Sequence, residues 1–103
     1  MKILGVTACP TGIAHTYMAQ ESLEKELRNR GFEYKIETQG GLGIENELMN
    51  EDISDADVII LAVSIVIEGE ERFEGKKVLR ADVDRAIKDV KNLVDEAIEL
   101  AEV

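Results

Sequence analysis

The chain's one cysteine, Cys9, stands where an apolar run, Ile3-Leu4-Gly5-Val6, gives way to the loop Cys9-Pro10-Thr11-Gly12-Ile13-Ala14-His15-Thr16. A long amphipathic segment follows at once. A thiol in a strand-to-helix turn faces the N-terminal end of the helix, where unpaired N–H groups and the dipole favour negative charge. That setting lowers a cysteine pKa and favours the thiolate, the nucleophilic form. The same amides make a ready phosphate site. No Asp or Glu precedes Glu21, so nothing acidic in this stretch repels an incoming anion. The plainer alternative is that a lone cysteine serves as a small buried hydrophobe. The loop chemistry around Cys9 favours function over packing.

Cys9 is followed by five residues and then His15-Thr16. Protein tyrosine phosphatases have a cysteine, five residues, then Arg-Ser or Arg-Thr, with the intervening amides wrapped around the phosphate and the arginine clamping it. A histidine stands here where that arginine would be, and imidazole binds an anion less firmly than a bidentate guanidinium. Such a loop holds a phosphoryl group without strongly promoting its hydrolysis. His15 is either an exposed residue one turn into a helix or a donor to a phosphate on Cys9. Thr11 and Thr16 are either caps or hydroxyl donors to the same anion. Other anion loops fit less well. The nucleotide P-loop needs a terminal Lys-Ser or Lys-Thr, and dinucleotide binding needs GxGxxG after the first strand. Gly40-Gly41-Leu42-Gly43 reads as a mobile turn rather than a phosphate cradle. A flavin needs aromatic walls that a chain with no Trp, two Tyr and two Phe does not supply. The scattered acids, with no His or Cys beside them, suggest no metal site.

The elements that must position this loop follow from hydrophobic spacing. Ile3 to Val6 reads as a short buried strand. From Ile13 to Arg30 apolar residues recur at helical spacing (Ile13, Tyr17, Leu23, Leu27), with Gly31 as a stop. Tyr34, Ile36 and Thr38 alternate with Lys35 and Glu37, which predicts a strand covered on one face. Glu45 to Met49 reads as a short helix, with Asn50 or Ser54 capping a further turn. The continuous run Val58 to Val63 predicts a central parallel strand. Lys77 to Arg80 is a short fourth strand. Asp82 then caps one final helix with the stripe Val83, Ile87, Val90, Val94, Ala97 and Ala101. The alternation predicts a single α/β domain over residues 1–103, an open, Rossmann-like sheet of four parallel strands in order 2-1-3-4 with helices on both faces. Winding then reverses beside the first strand, and ligands bind outside the carboxyl ends of strands at such a point. Cys9 lies just past the end of that strand.

Composition removes several functions. The 103 residues carry a net charge of −10, and residues 45–103 hold the whole excess, with seventeen acids against seven bases. Nucleic-acid binding needs a basic face, and none is present. The acidic half is a solvated surface or a docking face for a basic partner. No run approaches the length of a membrane span and no signal peptide is evident, so direct membrane insertion is not expected. A single free thiol suits a reducing, cytoplasmic setting.

The loop Cys9 to Thr16, preceded by Val6-Thr7-Ala8, resembles the phosphocysteine loop of the fructose-type IIB domain of the bacterial phosphoenolpyruvate-dependent sugar phosphotransferase system. The likeness continues through Glu37-Thr38-Gln39-Gly40, Gly43-Ile44-Glu45-Asn46-Glu47-Leu48 and Glu71-Arg72-Phe73 with Gly75-Lys76, and covers essentially the whole chain. The resemblance implies a phosphoryl relay. A phosphorylated IIA domain donates from a phosphohistidine, Cys9 carries the group as S-phosphocysteine, and a sugar bound by a membrane IIC partner accepts it. The usual product of the fructose type is fructose 1-phosphate. Carried over, Cys9 is the catalytic nucleophile and Pro10, Thr11, Gly12, Ile13, Ala14, His15 and Thr16 form the phosphate cradle, with neither metal nor cofactor required. The chain departs from the family at Ser64, where Asp is common, and in a longer stretch from Ile65 to Glu71, which bears on partner or sugar choice. The rival readings are a cysteine-dependent phosphatase and a non-catalytic, phosphorylation-sensing regulator of the same fold.

Overall fold

A computed structural model describes residues Met1–Val103. Apolar runs make its central strands. β1 (Lys2–Ala8) and β4 (Val58–Val63) lie side by side in parallel, with Leu4 opposite Ile59 and Val6 opposite Leu61. Every residue of β4 is buried, as a strand covered on both faces requires. β2 (Glu33–Gly40) flanks β1 and β5 (Val78–Ala81) flanks β4, both parallel. A three-residue strand, β3 (Gly43–Glu45), closes the sheet antiparallel to β2, giving the order β3-β2-β1-β4-β5.

The two faces are covered unequally. On one, Ile3, Ile36 and Ile60 pack under α1 (Ala14–Asn29), α3 (Val83–Lys88) and α4 (Val90–Ala101), with Leu23, Leu27 and Leu93 at the contact. On the other, Leu4, Val6 and Leu61 lie under α2 (Asn50–Ser54), a 3-10 turn (Glu70–Phe73) and their loops, through Ile53, Ile67 and Phe73. Burying one such side chain contributes about 1.5–3 kcal/mol.

The α/β class and the helices on both faces match the expectation, and the four expected strands keep their relative order as β2-β1-β4-β5. Five expectations need correction. The sheet has five strands, and it is not all parallel, because Gly40-Gly41 lets the chain double back so that Gly43–Glu45 pairs with Thr38–Gly40. Three residues are too few to read as a strand in sequence. β2 is therefore no edge, and its second half is buried on both faces, Glu37 included. Glu45–Met49 is not a helix: Glu45 ends β3, and the helix begins at Asn50. The last helix is two helices, broken at Asp89 (φ −139°, ψ 38°). Asn92 Nδ2 donates to Asp89 Oδ1 at 2.8 Å and Arg85 Nε to Asp89 Oδ2 at 3.4 Å, holding the corner. The apolar spacing runs through the break in phase, so the sequence pattern hides it.

Candidate functional site around Cys9

β1 ends at Ala8 and α1 begins at Ala14, so residues 9–13 make the turn at the carboxyl edge of the sheet. Thr7 Oγ1, near the end of β1, donates to Thr16 O at 2.9 Å and ties the start of α1 over the strand end. The helix has no acidic residue in its first turn, and Ile13 at its N-cap supplies no side-chain bond. The N-cap residue thus satisfies none of the leading amides of α1.

Cys9 is only 2% exposed. Thr16 Oγ1 donates to Cys9 Sγ at 3.0 Å, and Thr11 Oγ1 lies 3.4 Å from the same sulfur. Burial alone would push the thiol pKa up. The hydroxyls of Thr11 and Thr16 and the amides of Gly12 and Thr16 outweigh it, and bring the pKa down to about 6. Hydrogen bonds to a charged group favour the charged form. The sulfur is a thiolate at neutral pH.

The turn is held from the side by the end of β2. Gly12 has φ +67°, and its carbonyl accepts a bond from Gly41 N at 2.7 Å. A Cβ on Gly12 would lie 2.7 Å from Gly41 N, and one on Gly40 would collide with Gly12 O. Only glycine fits this contact on either side. The Gly40-Gly41 pair, which reads in sequence as a mobile turn, is instead the brace of the cysteine loop. Its signal in the sequence is two glycines directly after a strand that neighbours β1.

The expected cradle residues divide into two groups. Cys9, Thr11, Gly12 and Thr16 converge on the sulfur. Pro10, Ile13, Ala14 and His15 are exposed around it. His15 makes no bond to Cys9; its Nδ1 faces Asp84 Oδ1 of α3 at 3.6 Å. Ile13 stands out from the helix instead of joining its buried stripe.

Two further groups surround the site that residue spacing did not single out. Ser64, directly after β4, donates its amide to Ala8 O at 3.0 Å and its hydroxyl to Asp82 Oδ1, and so links the loop edge to the start of α3. On the opposite face of the sheet, the buried Glu37 carboxylate takes both arms of Arg72, at 2.8 and 2.7 Å, with Gln39 Nε2 at 2.7 Å and Leu48 N at 2.8 Å. Burial would raise the Glu37 pKa, but Arg72, Gln39 and the Leu48 amide hold it below the ordinary carboxylate value.

Known proteins resemble this chain in sequence and fold. The family model described as "PTS system, Lactose/Cellobiose specific IIB subunit" matches residues 4–96. The "PTS system fructose-like EIIB component 2" of Escherichia coli K12 is 53% identical over 87 residues, covering 84% of this chain and 82% of that protein. The "PTS system fructose-specific EIIABC component" of Bacillus subtilis 168 is 45% identical over 97 residues, covering 94% of this chain but 15% of that longer protein. Among solved structures, a predicted fructose-specific IIB from Escherichia coli superposes with a TM-score of 0.94 at 37% identity, over 99% of this chain and 90% of that one. The family model's description names lactose and cellobiose, whereas these relatives carry fructose-type names. Full-length agreement in sequence and fold thus meets a buried thiolate at the head of α1, and the chain belongs to the IIB family of the bacterial sugar phosphotransferase system.

Proposed function

We propose that this chain is a phosphoryl-relay domain, a sugar phosphotransferase component of the fructose type. Cys9 is the group that carries the phosphoryl. The observation behind this reading is the thiolate itself, buried yet held ionised by Thr11, Thr16 and two loop amides. In the first half-reaction the sulfur attacks the phosphorus of a phosphohistidine on a IIA domain. The S–P bond forms as the P–N bond breaks, and the imidazole nitrogen leaves with the electron pair. The second half-reaction reverses the roles: a sugar hydroxyl attacks, its proton passes to solvent or a base on the partner, and the thiolate departs.

Phosphoryl transfer of this kind needs chiefly positioning and charge stabilisation. In this reading the two threonine hydroxyls and the amides of residues 11–16 take up charge on the equatorial oxygens. The loop itself holds no arginine. Arg72 is committed to Glu37 on the opposite face of the sheet. That disfavours hydrolysis and supports holding the group over releasing it. No helix here is long and apolar enough to cross a membrane. In this reading a membrane IIC partner carries out the transport step and the sugar is fructose, which the fructose-type names of the relatives support. Relatives that bear B and C, or A, B and C, in one name support such partners. The domain would then work at the cytoplasmic face.

Incubation with a IIA domain phosphorylated on its histidine separates the readings. The relay yields a persistent adduct on the wild-type chain and none on Cys9→Ser, whose hydroxyl is far less ionised. Rapid free phosphate instead would establish a phosphatase, and no label a binding module.

A further inference from the structure

The end of β2 serves the site twice. Gly40 and Gly41 brace the cysteine loop. Gln39 reaches the other way. Its side chain is nine-tenths buried and bonds one residue, Glu68, through both main-chain groups: Oε1 accepts from Glu68 N at 2.8 Å and Nε2 donates to Glu68 O at 2.9 Å. The amide thus acts as one rung of an additional strand. Behind it, Glu37 accepts Gln39 Nε2 and the Arg72 fork, and Arg72 Nε continues to Gly69 O at 2.7 Å.

These bonds fix one end of a short lip, residues 64–69. Its other end is Ser64, bonded to Ala8 O next to Cys9. Between the two anchors Ile67 is buried and Val66 is 93% exposed. Ile13, in the cysteine loop, and Leu42, just after the Gly40-Gly41 brace, are also exposed, at 58% and 76%. The lip therefore presents apolar surface beside a site whose nucleophile is itself buried, and exposed apolar surface at a site marks contact with another molecule.

We infer that Gln39, backed by the Glu37–Arg72 pair, is a positioning residue for donor docking. It does not touch the phosphoryl group. It holds the lip in the one conformation that meets the incoming IIA domain, an inference that rests on the relay reading. Glu68 is exposed, so water can take over its main-chain bonds when Gln39 is removed. Loss of Gln39 therefore loosens the lip rather than unfolding the chain. When a binding-competent conformation is populated only part of the time, apparent affinity falls by that fraction.

The test measures phosphoryl transfer from a phosphorylated IIA domain against donor concentration. Gln39→Leu raises the half-saturating donor concentration by about fivefold, with the maximal rate and the Cys9 titration unchanged. Val66→Ser, a surface change that leaves the core alone, raises it as well. In the Val66→Ser background Gln39→Leu adds less than about twofold, because both act through one lip. Equal factors in both backgrounds, or no change in half-saturation, would overturn the inference. Amide hydrogen exchange needs no donor and tests the lip independently: the Glu68 amide exchanges faster in Gln39→Leu, and retained protection would sink the inference even where wild-type transfer is intact. A wild-type chain that takes no phosphoryl group refutes the relay reading instead, and with it the docking role.

Discussion

At the scale of single residues, Cys9 is defined by competition between burial and hydrogen bonding, and hydrogen bonding wins. A bond to a charged group contributes about 1.5–3 kcal/mol, and one pKa unit is about 1.4 kcal/mol. Thr16→Val, which deletes the 3.0 Å donor, therefore raises the Cys9 pKa by roughly one to two units from about 6, read by thiolate ultraviolet absorbance against pH. The folded-state pKa lies below the ordinary thiol value, so the thiolate stabilises the fold most above that ordinary value. The contribution disappears as pH falls through about 6. The stability difference between wild type and Cys9→Ser accordingly grows from pH 6 to pH 9, as denaturant titrations check; a flat difference would disprove the thiolate. Gly12→Ala, strained at φ +67° and crowded by Gly41, costs about 1–3 kcal/mol and slows transfer. Cys9 and its loop were legible in sequence because a lone thiol, two threonines and a glycine fall within eight residues. The outward turn of His15 was not, because Asp84 reaches it from a helix far along the chain.

At the scale of elements, β2 carries more of the site than its sequence suggests. Alternation of Tyr34, Ile36 and Thr38 with charged residues reads as a strand wet on one side. The structure buries Glu37 completely, and its partner Arg72 lies 35 residues away. A charged residue reads as exposed until its partner is known, and the partner is a matter of tertiary structure. Breaking a buried pair strands the remaining charge, so Glu37→Leu destabilises by about 3 kcal/mol or more at neutral pH, measured by chemical denaturation. The Glu37 pKa is held below its ordinary value. Its stabilising share is thus present above that ordinary carboxylate pKa and is lost as acid carries the pH down through the folded-state value. Below that point wild type and Glu37→Gln converge in stability; a gap that widens in acid would contradict the assignment. The long runs that became β1, β4 and α1 were readable because their burial repeats in sequence. β3 and the break at Asp89 were not, since both arise from how the chain packs rather than from any change of pattern.

At the scale of the whole molecule, the charge split and the site occupy different places. The cysteine loop lies at the carboxyl edge of the parallel strands. The acidic end of α4 lies at the opposite edge, where Lys77, just before β5, bonds Ala101 O at 3.1 Å. A strand's length of about 20 Å separates the two, beyond the screening distance of about 10 Å at 0.1 M salt. Glu99→Lys combined with Glu102→Lys therefore leaves the transfer rate within about twofold, and the rate varies only mildly with ionic strength. A steep salt dependence with a large loss in that variant would move the docking face to the acidic helices. The proposed relay stands on one sulfur carrying the phosphoryl group. The chain offers a single competing acceptor of the same chemical reach, His15, exposed beside the loop. Peptide mapping by mass spectrometry, at neutral pH after brief exposure to a phosphorylated IIA domain, locates the group directly. The expected result is one phosphoryl group on Cys9, absent from Cys9→Ser and retained in His15→Ala; a group found on His15, or an adduct that survives in Cys9→Ser, would contradict it.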